Sequence, residues 1–341
     1  MDILLIREST SLHKPIYTHP ENPNRIVKIK TALVSAGLNV SSTSIDLVSR
    51  NEALNLACKV HARNYIDLLM KLSKEAPVSI DEDTYMDKTT LDLALGSLYL
   101  SYIYARENRG AFLITRPPGH HSGFKGRAMG ASTQGFCILN NAAGSVFGFL
   151  ESGVRRVAII DFDAHHGNGT MEIFYRKPIL HIDIHQDPDT LYPHTGYLED
   201  LGEDQGYGYK VNIILPPGTG DDLFKAIIDN LPKILEKYSP EALVISAGFD
   251  GFVNDGLADL NLTEKSYYEL GSLIETLDIP TITVLEGGYS IGLTKGIVAF
   301  IKGLMNLPIE YTEISTTPRS LYRRTILEIN SLFEKVAQRI S

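Results

Sequence analysis

Short apolar runs recur along the chain. Residues 3–6, 111–115, 157–160, 179–184, 210–215, 242–247 and 281–285 are dominated by Ile, Val, Leu, Ala and Phe. Mostly apolar runs of this length are what strands buried on both faces require. Longer segments with apolar residues at three- and four-residue spacing lie between them. They predict helices over 26–35, 64–73, 89–106, 139–151, 221–237 and 263–277, then one after Gly292 and one from about Ser320. Start signals agree: Asn22-Pro23 before the first, Asn140 or Asn141, Asp221 or Asp222, and Thr263. The acidic stretch 79–85, SIDEDTY, predicts a loop.

Strands alternating with helices predict an α/β fold with a mainly parallel central sheet and helices on both faces. No repeat, low-complexity tract or linker divides the 341 residues, so a single domain over 1–341 is expected. Its last helix, about 318–341, is a C-terminal extension carrying Arg319, Arg323 and Arg324 on a solvated face.

Four runs end in reactive side chains. Arg116 to His121 follows one, Asp161 to Asn168 another, and Asp250 and Tyr289 two more. Ends of neighbouring parallel strands converge on one crevice. Residues 157–169 read VAIIDFDAHHGNG. In an extended chain Asp161, Asp163 and His165 would project to one side, and Gly167 and Gly169 would loosen the backbone for a sharp exit. Asp163, His165 and Asp250 make a three-ligand set of the open zinc type; iron, cobalt or manganese also suit one imidazole and two carboxylates. The adjacent His120 and His121 should meet different surroundings, one serving a water at the metal and the other supporting it. Tyr289, after two glycines, could donate to a carbonyl oxygen.

Composition narrows the class. Net charge is −9 with no basic stripe, which argues against direct nucleic-acid binding and tolerates cationic substrates. No apolar stretch nears the ~20 residues that span a bilayer. Two cysteines, Cys58 and Cys137, form no disulfide framework, and Cys137 reads as a buried inert thiol. The expectation is a cytoplasmic protein.

Five motifs stand in order: Arg116-Pro-Pro-Gly-His-His, Gly135-Phe-Cys-Ile-Leu-Asn-Asn, Asp161-Phe-Asp-Ala-His-His-Gly-Asn-Gly, Ser246-Ala-Gly-Phe-Asp and Glu286-Gly-Gly-Tyr. Over roughly residues 13–305 the chain resembles the zinc-dependent histone deacetylase family, with acetylpolyamine amidohydrolases and bacterial and archaeal relatives, in wording its class II-like branch. The resemblance implies an arginase/deacetylase-like fold. It assigns Asp163, His165 and Asp250 to one zinc ion. It makes His121 the general base and acid, partnered by Asn168 where other branches have aspartate. His120 becomes its electrostatic companion, oriented by Asp161, and Tyr289 polarises the acetyl carbonyl.

Phe136 and Tyr192 would wall a narrow tunnel, Arg25 would flank an acetate channel, and Asp83 would hold substrate at the rim. Leu257 stands where polyamine-selective relatives of one branch carry an acidic residue. A potassium ion is implied on the carbonyls of Asp161, Asp163 and His165, beside Asp183, where many members have serine. Gly167 replaces the aspartate that bridges a second metal in arginase relatives. The implied activity is removal of acetyl groups from acetyl-lysine in proteins or from related acetylated amines. An acetylpolyamine or other small-molecule deacetylase is the alternative, and a non-catalytic acetyl-ligand module a third. The sequence leaves oligomeric state, acyl length and native metal open.

Overall fold

In the computed structural model, which describes residues 2–311 and 313–340, every apolar run becomes a strand of one sheet. The strands are β1 (Asp2–Ile6), β2 (Ser41–Thr43), β3 (Val78–Ser79), β4 (Tyr85–Met86), β5 (Ala111–Ile114), β6 (Val157–Asp161), β7 (Leu180–Gln186), β8 (Lys210–Leu215), β9 (Ala242–Ala247) and β10 (Thr281–Leu285). Eight of them pair in the order β2-β1-β5-β10-β9-β6-β7-β8, and every pairing is parallel.

Successive residues on each strand enter opposite cores, which is why the runs are continuous. Ile3, Leu5, Ala158, Ile160, Leu243 and Ile245 face one side. Leu4, Ile6, Val157, Ile159, Ala242 and Val244 face the other. The first side is covered by α1 (Asn24–Ser35), and the second by α2 (Arg50–Val60), α3 (Arg63–Glu75), α4 (Thr90–Arg106) and α5 (Asn141–Glu151). After the short α6 (Asn168–Phe174), helices α7 (Asp221–Tyr238), α8 (Glu264–Thr276), α9 (Ile297–Leu304) and α10 (Arg319–Arg339) complete the first side. The fold is thus an α/β layer structure with helices on both faces. Among the described residues no helix is long and apolar enough to cross a membrane.

The expected C-terminal helix does present Arg319, Arg323 and Arg324 to solvent; its final residue, Ser341, lies outside the described residues. Its other side buries Thr325, Ile329, Phe333 and Val336, the last three in the same core as α7.

Some local expectations change. The acidic stretch is the tip of an antiparallel β3–β4 hairpin, not a plain loop. Helix α2 went unpredicted, although Ser49 and Glu52 spell a helix start; Ser49 Oγ accepts from the Glu52 N–H. Neither Asp221 nor Asp222 caps the start of α7, where Gly220 is the cap residue. Asp221 instead binds Thr263, Ser266 and Ser315, tying the segment before α10 to α8. Asn140 and Thr263 do cap α5 and α8.

Candidate metal and catalytic site

The polar strand ends belong to β5, β10, β9 and β6, four consecutive strands at the middle of the sheet. Their carboxyl ends therefore open on one crevice.

Strand β6 ends at Asp161, so the projection expected for Asp161, Asp163 and His165 does not continue in extended chain. Asp161 instead turns to His120, with Oδ2 3.0 Å from the ring Nδ1. Asp163 and His165, past the strand, meet Asp250 from the end of β9. His165 Nδ1 lies 3.1 Å from Asp163 Oδ1 and 2.9 Å from Asp250 Oδ2. Candidate ligand atoms of these three residues all fall within 4.8 Å of one another. One imidazole and two buried carboxylates form a donor set suited to a divalent cation. The backbone is drawn tightly round it. A Cβ on Gly248 would stand 2.1 Å from Asp163 Oδ2, and one on Gly287 2.4 Å from an oxygen of Asp163 and of Asp250.

Gly167 serves space rather than a bend. Its φ is −74°, open to any residue, but a Cβ there would stand 2.4 Å from Asp161 Oδ2 and 3.0 Å from Asp183 Oδ2. Gly169 lies within α6, where a Cβ would strike the backbone of His121 and Ser122. The expected sharp exit is therefore a helix start pressed against the tandem histidines.

The rings of those histidines lie 4.0 Å apart between centroids, tilted by 44°, yet find different partners, as expected. Burial disfavours charge on His120, but Asp161 and Asp163 hold its pKa well above the ordinary histidine range. Burial, aided by the neighbouring His120 and His165, pushes His121 well below it. His121 Nδ1 lies 2.8 Å from Asn168 Oδ1, and Asn168 Nδ2 donates to the Ala128 carbonyl at 3.0 Å. With the amide so oriented, Nδ1–H donates and Nε2 keeps its lone pair. Glu286, at the end of β10, accepts from the N–H groups of Gly119 and His120 and so fixes the turn carrying both rings.

A cavity of about 370 Å³ opens onto this group, lined by His121, His165, Tyr289, Phe136, Tyr192 and Leu257. Tyr192 approaches the His121 ring at 5.0 Å, and Phe136 approaches Tyr289 at 5.8 Å. Burial pushes the Tyr289 phenol well above its ordinary range, against the pull of Arg25, so it stays protonated and able to donate. Asp83 also lines the cavity, but its carboxylate accepts from the hydroxyls of Thr84 and Thr133.

Arg25 is placed differently: buried behind Tyr289, 4.7 Å from that ring, it donates to the carbonyls of Glu286 and Gly288. Cys137 is buried, and burial raises its pKa well above the ordinary thiol range, which fits the inert thiol expected. Beneath the site Asp183 lies among His166, His181 and His185, with His185 Nδ1 2.6 Å from Oδ1 and the Gly167 N–H on Oδ2.

Sequence reasoning named no role for Glu286 or Asp255. Glu286 had a signal, a carboxylate closing an apolar strand inside a recognised motif. Asp255 lies in an irregular turn and had none.

The histone deacetylase domain matches residues 19–304. A probable deacetylase of Archaeoglobus fulgidus is 35% identical over 94% of this chain and 91% of its own. Acetylpolyamine amidohydrolase 1 of Pseudomonas aeruginosa is 44% identical over 185 residues, 54% of this chain and 52% of its own. The crystal structure of the HDA15 HD domain superposes with a TM-score of 0.84 at 27% identity, covering 98% of this chain and 96% of that one.

Proposed function

The chain belongs to the histone deacetylase family and is a hydrolytic deacetylase, and on that premise we propose that it is a zinc-dependent amidohydrolase acting on acetyl-lysine in proteins or on related acetylated amines. The whole chain serves as one catalytic domain. One observation carries the reading: a three-ligand cation site, a neutral histidine with a free Nε2 and a protonated phenol share one cavity floor.

Asp163, His165 and Asp250 would hold the metal, with zinc favoured and Fe2+ or Co2+ compatible. When bound it supplies Lewis acidity at the acetyl carbonyl and makes hydroxide available near neutral pH. His121 takes the proton of the attacking water on Nε2 and returns it to the leaving amine, which needs a base neutral at working pH. Asn168 holds the ring in the tautomer that leaves Nε2 free. His120, held charged by Asp161 and Asp163 and oriented by Asp161, is the electrostatic companion of His121. The Tyr289 hydroxyl donates to the oxygen where negative charge develops. Phe136 and Tyr192 flank an extended alkyl chain, while Leu257 and Asp83 meet what lies beyond it.

Arg25 supports the loop bearing Tyr289, alongside any part it has in acetate passage. The crowding at Gly167 leaves no room for a carboxylate to hold a second metal, which supports amide rather than guanidino hydrolysis. The carbonyls of Asp161, Asp163 and His165, beside Asp183, would hold a potassium ion, so a monovalent site stays in the proposal. The free thiols of Cys58 and Cys137 suit the cytoplasm.

The likeness to an acetylpolyamine amidohydrolase favours a second reading, deacetylation of a small cationic amine. Turnover of an acetyl-lysine peptide beside an acetylpolyamine, with and without chelator, separates the two. Chelator-sensitive cleavage of the peptide supports a lysine deacetylase. Cleavage of the polyamine alone assigns a small-molecule enzyme. No cleavage of either with zinc bound removes the acetyl-hydrolase proposal in favour of another acyl group or a binding role.

A further inference from the structure

The Tyr289 loop follows two glycines, so its backbone is intrinsically loose, and a loose loop cannot hold a phenol at a reacting oxygen. Most of its polar groups are nonetheless anchored. The Gly287 N–H donates to Asp163 Oδ2 at 2.8 Å. Arg25 takes the carbonyls of Glu286 and Gly288. A further anchor among the described residues is one carboxylate, Asp255, 5% exposed, from the turn that follows Asp250. Its Oδ2 accepts from the Tyr289 N–H at 2.7 Å, and its Oδ1 from the N–H groups of Ser290 and Gly292, both at 2.8 Å. Gly292 opens the helical turn that leads into α9.

We propose that Asp255 is a positioning residue for the reaction, holding Tyr289 over the cavity and locking its loop to the turn that carries the metal ligand Asp250. Both ends of the lock matter. Asp255 lies five residues beyond Asp250, within a compact turn closed by Phe252 N–H to Phe249 carbonyl and Asp255 N–H to Phe252 carbonyl bonds. A shift of the ligand turn therefore moves the phenol with it. The lock spends three N–H groups of one loop on one buried carboxylate, more than helix capping at Gly292 alone requires. This inference rests on the role proposed for Tyr289.

D255N is the informative variant. Its amide can keep the oxygen on Ser290 and Gly292, but then sets an NH2 against the Tyr289 N–H, donor against donor. D255N, Y289F and the double variant are compared by kcat, KM, metal content and hydrogen exchange of residues 286–296. The expected result is a fall in kcat of about 10–100-fold for D255N, since small misplacements cost that much, with KM within about 3-fold, metal retained and the Tyr289 amide deprotected. The double variant should be no slower than Y289F. Unchanged kcat in D255N overturns the proposal, and so does a loss that multiplies with that of Y289F, because Asp255 would then act elsewhere. Near-normal turnover by Y289F itself is a different failure: it removes the role of Tyr289 and the positioning role with it.

Discussion

The oxygen of the Asn168 amide lies 2.8 Å from His121 Nδ1, so a neutral group occupies the place where a carboxylate would favour the charged imidazole. Burial and the two neighbouring histidines already push His121 downward. A base works while neutral, so activity falls as pH drops through its pKa. Asn168→Asp raises that pKa and should move the acidic limb of kcat/KM to higher pH by roughly 1–3 units. A pH–rate profile with an unmoved limb counts against His121 as the base.

Tyr289→Phe removes one hydroxyl from the cavity and leaves the ring packing on Phe136 and Arg25. Turnover should fall on the order of 10²–10³-fold with zinc content unchanged. Steady-state kinetics beside metal analysis tests this; a loss confined to KM would make the tyrosine a binding group only.

Asp250→Ala takes away the carboxylate that lies 2.9 Å from His165 Nδ1 and also accepts from the Ala164 N–H. Metal and activity should be lost together, and added zinc should not restore turnover. Elemental analysis of the purified variant is the check. A stoichiometric metal content would mean that the ion sits on other residues.

Phe333→Ala probes whether α10 belongs to the domain. Phe333 is buried with Ile329 and Val336 in the core shared with α7. The truncation should cost about 3–5 kcal/mol in urea unfolding, as large-to-small aromatic changes in cores do. A cost below about 1 kcal/mol, the range of surface substitutions, would make the helix a peripheral addition.

Much of this protein was readable from residue order. A strand covered on both faces must be apolar at every position, so β5, β6, β9 and β10 announced themselves. Parallel pairing then requires their polar ends to meet, which makes Asp163, His165 and Asp250 a credible set from the sequence alone. Spacing along the chain carried no information on the rest. The turn after Asp250 has no period, so only folding brought Asp255 beneath Tyr289. Nothing in the spacing shows that the Arg25 guanidinium reaches the carbonyls of Glu286 and Gly288 behind the tyrosine. Gly167 suggested a flexible turn, yet it is needed because two carboxylates from β6 and β7 crowd one Cα. Local sequence determines which elements form and which face is buried, because those depend on periodicity and propensity. Which buried polar group satisfies which partner depends on contacts between distant segments, and only the tertiary structure decided that.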